Sequence, residues 1–71
     1  MISVKIYKAS GNSFLDSVSG ESMRDAMRLA ISRGKQLRPQ LQSNLYLRDC
    51  LGGLRAEIIM RDGKPYVRKT P

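Results

Sequence analysis

Seventy-one residues make one small domain with a single core, and 41% apolar with 27% charged residues is the balance of a folded globular chain, not a disordered one. Thirteen lysines and arginines against six acids leave a net charge of +7, which points to polyanionic or acidic partners. With no histidine, Ser–His and Cys–His nucleophile pairs and His/Cys zinc sites are excluded.

In chain order, Ile2, Val4 and Ile6 alternate with Ser3, Lys5 and Tyr7, the pattern of a half-buried first strand. Ser10-Gly11-Asn12-Ser13 is a turn signal. Phe14, Asp16 and Val18 alternate with their neighbours over residues 13–18, giving either a second strand or a loop with one buried phenylalanine.

Ser22, with Asp25 three residues on, resembles a helix capping box. Met23, Ala26, Met27, Ala30 and Ile31 then follow at the spacing of one apolar helical face. Gly34 stands where a helix ends, flanked by Arg33 and Lys35. From Lys35 to Asn44 the pattern is open: a short helical turn beginning at Pro39, or a loop pinned by Leu37 and Leu41.

The last third reads as three strands, 45–51, 54–61 and 64–69, joined by Gly52-Gly53 and Asp62-Gly63 as two-residue hairpin turns. Counting outward from Asp62-Gly63 pairs Arg61 with Lys64, Ile59 with Tyr66 and Glu57 with Arg68. Counting outward from Gly52-Gly53 pairs Leu47 with Ile58, Tyr46 with Ile59 and Arg48 with Glu57. The two registers agree, placing Leu45, Leu47, Leu51, Leu54, Ala56, Ile58, Met60 and Val67 on one face with Asp49. Pro65 falls in a non-hydrogen-bonded pair, so the last strand is expected at a sheet edge. The whole is expected to be α+β: a small two-layer sandwich of an antiparallel sheet and one amphipathic helix, in the order β(β)α-βββ.

The opposite sheet face carries the chemistry. Lys5, Tyr7, Tyr46, Arg48, Arg55, Arg61, Lys64, Tyr66 and Arg68 would share it, bringing together all three tyrosines of the chain among cations. Single-stranded nucleic acid is bound in this way, with bases stacked on aromatic rings and phosphates followed by Arg and Lys. The bland alternative is ordinary sheet packing, with Tyr46, Ile59 and Tyr66 as cross-strand neighbours and Glu57 in a charge ladder between Arg48 and Arg68. A secondary basic surface of Arg24, Arg28, Lys35 and Arg38 runs along one helix flank, where phosphates would be its targets.

The acids are scattered, so no carboxylate pair is assured; an enzyme is not expected, and no catalytic residue, metal ligand or cofactor is assigned. Cys50 cannot form an internal disulfide and is expected to be a buried or half-buried structural thiol on the outer face. No apolar run approaches the roughly 20 residues that cross a bilayer. The N-terminus alternates like a strand and not like a secretory signal, so a complete, cytoplasmic protein without a membrane partner is expected. The leading expectation is a non-enzymatic module contacting nucleic acid or a nucleoprotein complex. Its rival is an inhibitor or adaptor of a larger protein assembly, docking through a sheet edge or the Tyr46–Ile59–Tyr66 patch, as a short accessory protein of a bacterium or phage would. A homodimer is compatible with both.

Overall fold

The computed structural model describes residues 1–70. Strand β1 (Ile2–Lys8) turns through Ser10–Asn12 into β2 (Ser13–Gly20), followed by helix α1 (Met23–Leu37), a one-turn 3-10 segment (Arg38–Gln40), β3 (Leu45–Arg48), β4 (Leu54–Arg61) and β5 (Lys64–Lys69). The strands form one five-stranded antiparallel sheet in the spatial order β2-β1-β3-β4-β5. The helix lies on one face, chiefly over β1 and β2, giving the expected two-layer α+β sandwich, with the second strand present.

Val4, Ile6, Leu45, Leu47, Ala56 and Ile58 are the inward positions of the three central strands, and each is fully buried. Each large aliphatic among them contributes about 1.5–3 kcal/mol by leaving water. Ala26 and Ala30 close the core from the helix side. Leu37 and Leu41 reach it from either side of the 3-10 segment, which opens at Arg38, one residue before Pro39.

The helix starts as its sequence dictates, with the Ser22 hydroxyl accepting from Asp25 N at 3.2 Å. It does not stop at Gly34. It continues to Leu37, and Gly34 is buried mid-helix, where a Cβ would lie 2.9 Å from Ile58 Cγ1. Ala26, Ala30 and Gly34 recur every four residues, so the line pressed on the sheet is made of the smallest side chains. The larger Met23, Met27 and Ile31 form the adjoining flank and pack only partly against the core.

The β4–β5 hairpin has the expected register, from Arg61 opposite Lys64 to Glu57 opposite Arg68. Asp62 (φ 54°) and Gly63 (φ 78°) both adopt the left-handed conformation its two-residue turn requires. The β3–β4 connection differs. β3 ends at Arg48, and Asp49 holds a longer loop: its Oδ1 accepts from Leu51 N at 3.0 Å and Gly53 N at 2.8 Å, while Asp49 N donates to Gly53 O. The register is therefore displaced by two residues, with Leu45 opposite Ile58, Tyr46 opposite Glu57 and Leu47 opposite Ala56. A two-residue displacement keeps each side chain on its face, so the core survives the difference.

The loop end does not survive it. Leu51 is 92% exposed and Leu54 38% exposed, so neither belongs to the core expected of them, and Cys50 is exposed and not half-buried. A bulge at Arg55 separates the Leu47–Ala56 and Arg48–Leu54 pairs. A second irregularity, at Leu15, separates Ile6–Asp16 from Tyr7–Phe14. It delivers Phe14 to the face of Tyr7, where it is 56% exposed instead of buried.

Candidate functional site

The sheet face away from α1 is crossed by one row contributed by all five strands: Phe14, Tyr7, Tyr46, Glu57 and Arg68, each opposite the next. Alongside it run Ser17, Lys5 and Arg48, also in register. Toward the β4–β5 turn lie the Ile59–Tyr66 and Arg61–Lys64 pairs. Alternation along each strand generates this face, since the inward set is apolar and fixed by the helix.

Its aromatic rings form two stations. In the first, the Arg48 guanidinium lies 5.3 Å from the Tyr46 ring centroid and 6.0 Å from that of Tyr7. Phe14 meets Tyr7 edge to face at 5.7 Å, and Lys5 is exposed beside Arg48. Arg48 Nη1 also donates to Gly52 O at 3.0 Å, which ties the guanidinium over the rings. In the second, Arg61 lies 4.6 Å from the centroid of Tyr66, itself 46% exposed, next to Lys64. Two strands sideways and two residues along separate Tyr46 from Tyr66, a backbone distance of about 12 Å.

Between the stations sits an anion. The Glu57 carboxylate accepts from Arg68 Nη2 and from Asn44 Nδ2 at 3.5 Å. Its side chain is only 17% exposed while that of Arg68 is 65% exposed, and the pair neutralises the centre of the row. The expected Tyr46–Ile59–Tyr66 patch is not assembled: Ile59 faces Tyr66, whereas Tyr46 faces Glu57 and Tyr7. Phe14, overlooked in the sequence as a surface residue, takes a place in the first station.

Arg55 leaves this face. The bulge turns it to the helix side, where its Nε donates to Asp49 Oδ2 at 3.0 Å and it lines a groove with Met23, Met27 and Ile31. The Gly53 amide, followed by the Arg55 guanidinium and the Leu51 amide, holds the Asp49 carboxyl below its ordinary range, outweighing the opposite effect of desolvation. On the other side of α1, Arg33 Nε donates to Asp16 Oδ2 at 2.8 Å and lowers the Asp16 carboxyl, assisted by the Ser17 amide.

The secondary basic surface is divided. Arg24 and Arg28 line the same groove as Arg55, and Arg28 makes a 3.4 Å contact with Asp25. Lys35 is exposed about 10 Å beyond Arg28 along the helix axis. Arg38 does not join them. It is half-buried, donating to Leu41 O at 2.8 Å and to Asn44 Oδ1 at 3.1 and 3.3 Å, and so pins the segment leading to β3.

Among the described residues no helix is long and apolar enough to cross a membrane. No family model matches the chain, and comparison with curated proteins and with solved structures gives no match either.

Proposed function

We propose that the chain is a binding module for single-stranded nucleic acid, free or within a nucleoprotein complex, and that it engages the strand with the sheet face opposite α1. The observation that carries this reading is the stacking of Arg48 over both Tyr7 and Tyr46, next to exposed Phe14 and Lys5. A planar guanidinium on an aromatic ring presents a flat surface on which an unpaired base can stack, and it can swing to a phosphate once the base takes the ring. The phosphate contact that Arg48 gains offsets the hydrogen bond to Gly52 O that it gives up. An exposed cation–π contact is worth about 0.5–1 kcal/mol, whereas base stacking on an aromatic side chain is worth about 1–3 kcal/mol.

The Arg61–Tyr66 pair supplies a second stacking point, and Lys5 and Lys64 are the cations nearest each. Two stacked bases and a few phosphate contacts suffice for micromolar, salt-sensitive affinity. A duplex hides its base faces, so the single strand is preferred. Fluorescence anisotropy with labelled single-stranded and duplex oligonucleotides of one sequence, at about 50 mM salt, tests the reading. Saturable binding favouring the single strand is expected; no binding, or equal binding of the duplex, overturns it.

A further inference from the structure

The helix leaves part of the sheet uncovered. Because α1 sits chiefly over β1 and β2, its Met23–Met27–Ile31 flank faces an open groove of about 510 Å³ whose far wall is built by Arg55, Lys69 and Thr70. Arg24 and Arg28 rim the helix side. The groove thus joins an apolar floor to four cations, of which Arg28 and Arg55 already contact Asp25 and Asp49, and no carboxylate among the described residues lines it.

Beside it runs the free edge of β5. Thr70 N donates to Arg55 O, which fixes the alternation of the ladder: the amides of residues 66, 68 and 70 point to β4, and those of Val67 and Lys69 point outward. Pro65 offers no donor, so the edge available for pairing is Val67–Lys69, the part that adjoins the groove.

We infer that the groove between α1 and β5 is a docking site for an extended acidic peptide of a partner protein, which adds to β5 as a sixth strand. Its alternate apolar side chains lie on the methionine floor, and its carboxylates meet Arg24, Arg28 and Lys69. Strand addition supplies backbone hydrogen bonds for affinity and leaves selection to the alternate side chains. Methionine suits such a floor because its unbranched, polarisable chain adapts to different occupants. Charge selects among occupants. β5 carries Lys64, Arg68 and Lys69 and no acid, so a second copy pairing β5 to β5 would set cations against cations. A nucleic acid strand would satisfy the rim but leave the apolar floor without a complement. This site is independent of the nucleic-acid reading, since it lies on the other side of the sheet.

The test is anisotropy with a fluorescein-labelled peptide of about eight residues alternating Leu and Glu, compared with one in which Ser replaces Leu. Saturable binding of the Leu–Glu peptide is expected, with the Ser–Glu peptide at least about tenfold weaker. Arg24→Gln with Lys69→Gln is expected to weaken it about tenfold, whereas Tyr46→Ala leaves it unchanged. Thermal melts establish that each variant is folded. On binding, the Val67 and Lys69 amides are expected to slow in hydrogen exchange. Equal binding of the two peptides, full displacement by a single-stranded oligonucleotide, loss of binding in Tyr46→Ala, or unchanged exchange at Val67 and Lys69 overturns the inference.

Discussion

Replacing Gly34 by alanine puts a methyl group 2.9 Å from Ile58 Cγ1 and 3.4 Å from its Cδ1. Ile58 is fully buried and Cγ1 is the middle of its side chain, so neither atom can swing away into solvent. Overpacking of this kind costs about 1–3 kcal/mol. Alanine recovers about 0.8–1 kcal/mol of helix propensity over glycine. The clash wins, and the net loss is about 1 kcal/mol, a fall of about 4–8 °C in Tm for a domain of this size.

A double-mutant cycle separates the two effects. Ile58→Ala alone costs about 2–5 kcal/mol, but it removes the atoms the new methyl would strike. In that background Gly34→Ala should stabilise the protein, so the cycle should give a coupling of about 1–3 kcal/mol. Chemical denaturation followed by circular dichroism measures all four proteins, with Ser32→Ala as an exposed helix control expected within about 0.5 kcal/mol of wild type. If Gly34→Ala stabilises the wild type, and by the same amount in the Ile58→Ala background, the helix is not seated on β4 as described. The uncovered outer face would then lose its structural basis.

Further outcomes follow from the same geometry. Arg48→Gln should weaken oligonucleotide binding about tenfold in anisotropy, whereas Arg55→Gln, on the opposite side of the sheet, should change it less than about threefold. Leu51→Ser should shift stability by less than about 0.5 kcal/mol, because Leu51 is 92% exposed, while Leu47→Ala, fully buried, should cost about 2–5 kcal/mol in the same denaturation assay. Asp16 and Asp49 both have folded-state pKa values below the ordinary 3.8, so the unfolded chain binds protons first as pH falls. Their contribution to stability is complete above about pH 5 and is lost progressively below it, so Asp16→Asn and Asp49→Asn should each flatten the fall of Tm between about pH 5 and 3.

The β4–β5 hairpin was legible because its turn is local: Asp62-Gly63 sets both the loop length and the left-handed backbone, and the register follows by counting. Gly52-Gly53 sends a similar signal, and Gly52 does take φ 86°, but the loop length there is set by the Asp49 side chain accepting from the Leu51 and Gly53 amides. Because the displacement was even, the central faces were still read correctly; Leu54 and Arg55 changed sides, and Leu51 left the sheet for the loop. Gly34 was read as a stop because glycine serves helix ends as well as close contacts. The recurrence of Ala26, Ala30 and Gly34 every four residues was the available sign of close packing. Phe14 depended on an irregularity at Leu15 that leaves no mark in the alternation. Arg38 became structural through Asn44 and Leu41, a contact made only once the chain has turned after Pro39.

The chain contains no tryptophan, and its three tyrosines, Tyr7, Tyr46 and Tyr66, all lie on the outer sheet face. Their intrinsic emission therefore reports directly on that surface. Titration with a single-stranded oligonucleotide, corrected for its absorbance, should quench tyrosine emission in step with binding measured by anisotropy, and added salt should reverse both. With three to four phosphates neutralised and their counterions released, the logarithm of the binding constant should fall with the logarithm of salt at a slope of about −2 to −3. Saturable, salt-sensitive binding that leaves tyrosine emission unchanged would place the nucleic acid elsewhere and contradict the account.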